Sequence, residues 1–282
     1  MPISIMLWVL LAAFLHAAWN LGVKRHEDPA VSMTAIVVGQ VPLAIIALYL
    51  TALPAWTAWP WLIGGAALHF VYQLSLISAY RLGDLSHVYP LARGAAPLIV
   101  TLISLVFLDT PIATLEIAAI LLIVVGIFSQ LRFNATVNSW PAARLSLLTG
   151  LIIAGYTLID GYGARFAGTG VGFFAVLAIT NAALILLAMR WRRPGVVSQV
   201  FRSHKRLALQ GGSASFIAYA IVVWAFTQAP IALVAALRET SILFAVLLGM
   251  IFLKERPTTR ALMAVILMIM GLMLLRIAPM LA

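Results

Sequence analysis

Residues 231–257 read IALVAALRETSILFAVLLGMIFLKERP and carry the pattern that decides the fold. Most of the stretch is apolar and long enough for a membrane-spanning helix, since about 20 residues cross roughly 30 Å of hydrocarbon. Arg238 and Glu239 nevertheless stand side by side within it. A charge at the centre of such a helix costs about 2.5–3.5 kcal/mol, so both side chains are expected to face other helices or a wet cavity.

The first half of the chain contains a related segment, residues 85–111, with the sequence LSHVYPLARGAAPLIVTLISLVFLDTP. When the two segments are aligned on their closing prolines, Asp109 falls on Glu255. Arg93 then lies within one position of Arg238. Two apolar spans with an arginine at matching depth predict a duplicated protein with a polar site near its middle.

The composition is that of a polytopic membrane protein. Of 282 residues, 64% are hydrophobic and 9% are charged, and the mean hydropathy is +1.09, whereas soluble domains carry about 25% charged residues. The net charge of +10 comes mainly from basic residues in short loops between apolar runs. This distribution indicates cytoplasmic loops, not a nucleic-acid partner. The chain has no cysteine, which excludes disulfides and thiolate metal sites.

Ten spans fit the apolar pattern, and helices are the expected spanning element because backbone groups in lipid must be paired internally. The predicted spans are 3–23, 31–53, 59–81, 85–107, 112–131, 144–166, 171–190, 207–227, 231–253 and 258–277. They form one five-helix repeat in residues 1–134 and a second in residues 140–282. An odd number of helices per repeat inverts the second copy across the membrane. The predicted fold is an all-α membrane protein with ten transmembrane helices in two inverted five-helix repeats.

Basic residues fall mainly in the loops on one side of this predicted topology. Lys24 follows span one, Arg193 lies between spans seven and eight, and Lys254 follows span nine. The loops and terminus on the opposite side carry Arg165 and Arg276. The positive-inside rule therefore predicts a multi-pass protein of a bacterial-type inner (plasma) membrane with both termini non-cytoplasmic.

An acid-then-proline step precedes the last helix of each half, LDTP at 108–111 and KERP at 254–257. Gly126 and Gly271 lie late in those helices, and the first span contains LHAAWN at 15–20. In these features the chain resembles the EamA branch of the drug/metabolite transporter superfamily over essentially its whole length, and it is similar to the YddG-like amino-acid exporters. The resemblance implies a transporter of small metabolites with no ATP site of its own and no cofactor.

Polar and aromatic residues inside the predicted spans are the candidate substrate-binding residues. On span one, three of them lie at i, i+3 and i+4 and share a face. Span three carries the longest polar-aromatic stripe. Such side chains either line a cavity or hydrogen-bond between packed helices. The candidates are His16, Trp19, Asn20, His69, Tyr72, Gln73, Tyr80, His87, Tyr89, Arg93, Tyr156, Tyr219, Arg238 and Glu239.

The charged candidates each have two readings. Arg93 either binds a substrate carboxylate or is neutralised by a structural acid. Arg238 and Glu239 point about 100° apart on a continuous helix, so each is expected to find its partner on another helix. We predict a pair between Arg93 and Glu239, as part of the site or as an ion pair joining the halves. Asp160 is the candidate for coupling to protons; alternatively it reaches the interface or pairs with Arg165.

These features predict a secondary or facilitative transporter, an exporter of amino acids including aromatic or hydrophobic ones, working by alternating access around a central cavity. The alternatives are a lipid or lipid-linked sugar translocase and an integral membrane lipid-modifying enzyme. The sequence contains no Walker motif, metal-ligand cluster or GxSxG, so no catalytic residue and no metal are predicted. The expected partners are a small-molecule substrate and the lipid bilayer. No clean GxxxG pair is present, so the sequence does not predict the oligomeric state.

Overall fold

A computed structural model describes residues 1–23, 28–82, 85–108, 110–131, 140–252, 254 and 256–281, without the side chains of 21–23, 79–82, 85–90, 140–142 and 281. Within these ranges the chain forms thirteen α-helices and no strand. Two short turns, a 3₁₀ turn at Trp56–Ala58 and a π-helical turn at Leu207–Gly211, accompany them. The helices are α1 (Ile3–Val23), α2 (Pro29–Gly39), α3 (Val41–Leu50), α4 (Trp59–Leu82), α5 (Leu85–Val106), α6 (Thr114–Phe128), α7 (Trp140–Phe166), α8 (Gly170–Arg192), α9 (Val196–Ser203), α10 (Gly212–Phe226), α11 (Ile231–Arg238), α12 (Ser241–Phe252) and α13 (Thr259–Leu281).

Eight segments of the described chain are long and apolar enough to cross a membrane. Two shorter apolar helical stretches, Leu91–Val106 within α5 and Thr114–Phe128, accompany them. The all-α membrane class predicted from composition is therefore confirmed. Ten crossings and an inverted second repeat stay predictions.

Two predicted spans differ from single helices. The second span breaks at Gln40 into α2 and α3. Pro42 explains this break, since a proline lacks the N–H that would continue the helical ladder and crowds the carbonyl four residues earlier. The ninth span breaks after Arg238, where Glu239 and Thr240 form a turn between α11 and α12. There the backbone amides bond three residues back, Glu239 N to Ala236 O at 3.1 Å, which tightens the helix locally.

The last helix of each half begins later than the sequence pattern predicts. α6 starts at Thr114 and α13 at Thr259, although spans were predicted from 112 and 258. In α6 the Glu116 carboxylate accepts the N–H of Ala113 at 3.1 Å, and this capping contact fixes the helix start. Asp109 and Glu255, the aligned acids, lie outside the described residues.

The most extensive helix contacts join residues 1–134 to residues 140–282. α6 packs on α13 and α3 on α8. α7 packs on both α4 and α5, and α1 packs on both α10 and α12. The two predicted repeats are therefore interleaved, and the protein interior is built from helices of both.

Polar contacts join some of the connections to one another. Arg193 after α8 bonds Asp28 before α2 at 3.0 Å, and Arg260 donates to the Leu131 carbonyl at 2.8 Å. Arg165 at the end of α7 donates to the carbonyls of Phe226 and Ala229, at 2.9 and 3.0 Å. Each contact joins segments that the predicted topology puts on the same side. The sides themselves, and which of them is cytoplasmic, stay a prediction.

α11 lies at the centre of the bundle. All eight of its residues are buried, from Ile231 to Arg238, and helices α1, α5, α6, α7 and α10 contact it. Large apolar side chains on the outer helices remain exposed, for example Ile251 on α12 and Ile266 on α13. An apolar outer surface suits a lipid environment, in which helices associate through packing and polar contacts.

Candidate functional site

The turn between α11 and α12 places Glu239 between two arginines. Glu239 is fully buried and Arg93 is 4% exposed. The Nε of Arg93 lies 2.6 Å from Oε2 of Glu239, an ion pair that joins α5 of the first half to the second half. The predicted pair is thus confirmed. Its role in substrate binding stays a prediction.

Arg238 also contacts Glu239, contrary to the expectation that adjacent residues would find separate partners. Its terminal nitrogen donates to Oε1 at 3.3 Å, and its Nε donates to the same oxygen at 3.4 Å. The expectation was wrong because it assumed a continuous helix with about 100° between neighbours. The helix ends at Arg238, and the long guanidinium folds back onto the next residue. One carboxylate therefore serves two buried guanidinium groups.

The remaining donors of Arg93 reach two other helices. One terminal nitrogen donates to Ser241 Oγ at 3.1 Å, and the other lies 3.3 Å from Nε2 of His16. Because a guanidinium has donors and no acceptor, Nε2 of His16 accepts this bond and His16 is neutral here. The short arginine contacts link α1, α5 and α12 at one level of the bundle.

The other predicted residues of span one, Trp19 and Asn20, lie next to the contact between His16 and Arg93. The Trp19 indole packs edge-on against the His16 ring, with the ring centroids 5.1 Å apart. Asn20 donates to the His16 carbonyl at 2.7 Å, so this bond stays within α1. Trp19 is half-buried, and its buried Nε1 has no hydrogen-bond partner among the described residues.

A second carboxylate, Asp160 on α7, forms its own cluster. It is fully buried, and its Oδ2 lies 2.7 Å from Nε2 of His69 and 2.7 Å from the Tyr219 hydroxyl. The alternatives that Asp160 reaches the interface or pairs with Arg165 are therefore wrong, since Arg165 binds backbone carbonyls instead. Asp160 joins α4, α7 and α10 in the bundle interior.

Aromatic rings connect the two carboxylate clusters. His69 stacks on Tyr156 with centroids 4.2 Å apart, and Tyr72 meets Tyr156 edge-on at 5.4 Å. The guanidinium carbon of Arg238 lies 6.0 Å from the centroid of the Tyr219 ring, whose hydroxyl binds Asp160. Cation–π attraction over such a distance is favourable. We call these two clusters and the rings between them the central polar site.

The structure thus brings together most of the predicted residues. Gln73, on the same α4 face, is buried at 5% exposure, and its Oε1 has no hydrogen-bond partner among the described residues. The side chains of Tyr80, His87 and Tyr89 lie outside the described residues. Ser241 was missed as a site residue. Ser241 lies two residues after Glu239 in the sequence, and this closeness would have indicated a site residue only if the helix break between them had been known.

No group of three or more His, Cys, Asp or Glu side chains in the described part of the chain is arranged to hold a metal ion. The chemistry that the site offers is charge recognition. Two guanidinium groups and two carboxylates lie among aromatic rings, shielded from solvent. Such buried ionisable groups inside a membrane protein are typical of substrate or ion pathways.

Comparisons with known proteins bear on the fold and on the family of the chain. A solved crystal structure of a protein overlays on the chain with a TM-score of 0.79 at 18% sequence identity, covering 100% of this chain and 98% of that chain. At that identity the likeness concerns the fold alone. No curated protein sequence matches the chain significantly. The family model for the EamA-like transporter family matches residues 140–277. This half of the chain is similar to the EamA-like transporter family, and the match indicates a membrane transporter of small solutes.

Proposed function

We propose that this protein exports amino acids, including aromatic or hydrophobic ones, by alternating access around the central polar site. The observation that carries the proposal is the charge arrangement. Arg238 and Arg93 offer guanidinium donors, and Asp160 offers a carboxylate at the far side of the Tyr219 ring. A zwitterion presents one carboxylate and one ammonium, which these two kinds of group complement.

The aromatic residues support a cargo with an apolar side chain. Tyr156 and Tyr219 pack on His69, and Tyr72 packs on Tyr156. Trp19 packs on His16, which contacts Arg93. Aromatic faces bind both apolar groups and cations. This lining suits a cargo with an apolar side chain better than an inorganic ion.

The interleaved packing of the two halves supports alternating access. The Arg93–Glu239 pair crosses from one predicted repeat to the other, so movement of one repeat against the other changes the centre of the bundle. Transporters built from repeats place their substrate sites at such an interface. The deep burial of the site favours a small solute over a lipid-linked cargo, which needs a lateral opening to the bilayer.

The test is flux of labelled amino acids in proteoliposomes that contain the purified protein. We expect exchange of L-phenylalanine above protein-free liposomes and a loss of at least tenfold in Arg238→Gln. Arg144→Gln is the matched control, since Arg144 is exposed at the start of α7. The control is expected to retain flux. Absence of flux for every amino acid tested refutes the proposal, and flux with a preferred direction in oriented vesicles tests export.

A further inference from the structure

The connection from α8 to α10 concentrates positive charge at one end of the bundle. Residues 190–206 read RWRRPGVVSQVFRSHKR and contain six arginines or lysines and no acid. We call them the basic segment. One of its side chains, Arg193, pairs with Asp28 at 3.0 Å. The other five are exposed in the structure: Arg190, Arg192, Arg202, Lys205 and Arg206. The positive-inside rule accounts for the side on which such charges lie, but it does not require them to be gathered around one short helix.

The basic segment is packed against the bundle. Gly195 has φ +103°, a left-handed conformation that glycine adopts without strain, and it turns the chain from α8 into α9. Val196 and Val200, one turn apart on α9, are buried in a cluster with side chains of α2 and α8. These two valines fix which face of α9 meets the bundle. The opposite face, with Phe201 and Arg202, is therefore presented outward.

Exposed aromatic side chains lie among these charges. Trp191, between Arg190 and Arg192, is 80% exposed, and Phe201 is 53% exposed. Aromatic ring surface in water is unfavourable, whereas tryptophan is enriched at the headgroup level of a bilayer, where its ring meets both polar and apolar groups. The exposed rings beside arginines therefore indicate contact with the membrane interface.

The basic segment is also continuous with the apolar outer surface. Leu187, three residues before Arg190 on α8, is 57% exposed, and Leu209, three residues after Arg206, is 61% exposed. Residues three apart on a helix lie on the same face, so Leu187 and Arg190 can meet the same ligand. A molecule with an anionic head and acyl chains contacts the charges and the leucines together. A nucleic acid or an acidic protein would gain nothing from the leucines.

We propose that the basic segment binds the phosphodiester headgroup of an anionic phospholipid, with Arg190 and Arg192 contacting the phosphate and Trp191 at the headgroup level. Guanidinium groups bind phosphate oxygens through paired, charge-assisted hydrogen bonds. A zwitterionic phospholipid carries a cation beside its phosphate, which the exposed arginines and lysine repel, so the segment selects lipids with a net negative charge. The proposal does not depend on the transported cargo, because the basic segment lies outside the central polar site.

The test measures quenching of tryptophan fluorescence by phospholipids with brominated acyl chains, added to the purified protein in detergent. Phosphatidylglycerol is the anionic probe, and phosphatidylcholine is the zwitterionic one. The chain has eight tryptophans, so comparison with Trp191→Phe isolates the signal of the basic segment. We expect this signal to reach half-maximal quenching at a phosphatidylglycerol fraction at least about tenfold below that of phosphatidylcholine. About 1 M NaCl should remove the preference, because exposed charges are screened.

Charge variants test which residues select the lipid. Arg190→Gln/Arg192→Gln should raise the half-maximal phosphatidylglycerol fraction about 25-fold, from about fivefold for each charge removed near an anionic surface. Both side chains are exposed, so the Tm in lipid-free detergent should stay at the wild-type value. The matched control is Arg144→Gln, which removes an exposed arginine on the same predicted side of the membrane. This control should keep the wild-type preference.

The remaining outcomes contradict the proposal. Equal quenching by the two lipids in the wild-type protein overturns it, as does a wild-type preference in a folded Arg190→Gln/Arg192→Gln protein. Displacement of phosphatidylglycerol by glycerophosphoglycerol, the free headgroup, would assign the segment to a soluble phosphate. Displacement by a short oligonucleotide at matched ionic strength would assign it to a nucleic acid. Each of these results leaves the proposed transport function standing, and the comparison of two lipids is decisive even if a variant fails to fold.

Discussion

The arrangement of one carboxylate between two arginines predicts an asymmetric response to substitution. Glu239→Gln keeps the side-chain volume but leaves the buried guanidiniums of Arg93 and Arg238 without the carboxylate that both contact. Loss of one partner from a buried ion pair costs about 3–5 kcal/mol. One kcal/mol shifts the Tm of a chain of ~150–250 residues by about 2–4 °C. We therefore expect the Tm of Glu239→Gln to fall on the order of 10 °C.

Arg238→Gln provides the comparison. It removes contacts at 3.3 and 3.4 Å but leaves the 2.6 Å pair between Arg93 and Glu239 in place. A hydrogen bond to a charged group contributes about 1.5–3 kcal/mol, and removal of one arginine also relieves repulsion between the two. We expect a Tm decrease no more than about half that of Glu239→Gln.

The assay is thermal denaturation of the purified protein in detergent, followed by tryptophan fluorescence and by recovery of the monodisperse peak after heating. Both variants are measured at the same pH and salt concentration as the wild-type protein. Equal Tm losses for the two substitutions, or a larger loss for Arg238→Gln, would refute the reasoning. Such a result would mean that Glu239 does not hold both guanidinium charges.

Two further predictions concern the loops and the helix crossings. Burial opposes ionisation of Asp28, but the Arg193 guanidinium and the helix amides hold the pKa of its carboxyl below the usual 3.8. The contribution of Asp28 to stability is therefore present above about pH 4 and is lost as the pH falls further. In a plot of Tm against pH, Asp28→Asn should reduce the fall in Tm at acidic pH. Gly212→Ala should prevent folding or lower the Tm strongly, because the new Cβ would lie 2.4 Å from the Gly39 carbonyl carbon. Gly64→Ala is the control and should leave the Tm unchanged or raised, because its Cβ meets nothing closer than 3.5 Å. Equal yields of monodisperse protein from the two variants would contradict this prediction.

The helical spans could be predicted because their signals are local. Apolar runs of about 20 residues and charged loops follow from the cost of placing polar backbone and charge in hydrocarbon. The break after Arg238 could not be predicted, because long apolar runs stand on both sides of residues 238–241 and no proline or glycine marks the position. That break is what allows Arg238 to turn back onto Glu239.

The partners of Asp160 likewise could not be predicted from local sequence. Its presence inside a span predicted a polar partner, and Arg165 was the candidate closest in sequence. The structure instead supplies His69 and Tyr219, which lie far away in the sequence on α4 and α10. Sequence spacing locates a face of one helix. It does not indicate which helices that face will meet.

The sequence by itself determined the membrane class, the approximate positions of the apolar helices and the identity of the buried charges. These properties depend on the transfer of each segment from water to lipid, which is set by its own composition. Only the tertiary structure decided how those charges combine: one carboxylate is held by two arginines, and a second carboxylate contacts a histidine and a tyrosine. Interleaved helices of both halves decide these contacts, because the low-dielectric interior makes each buried charge depend on the neighbours that packing brings within 3 to 4 Å of it.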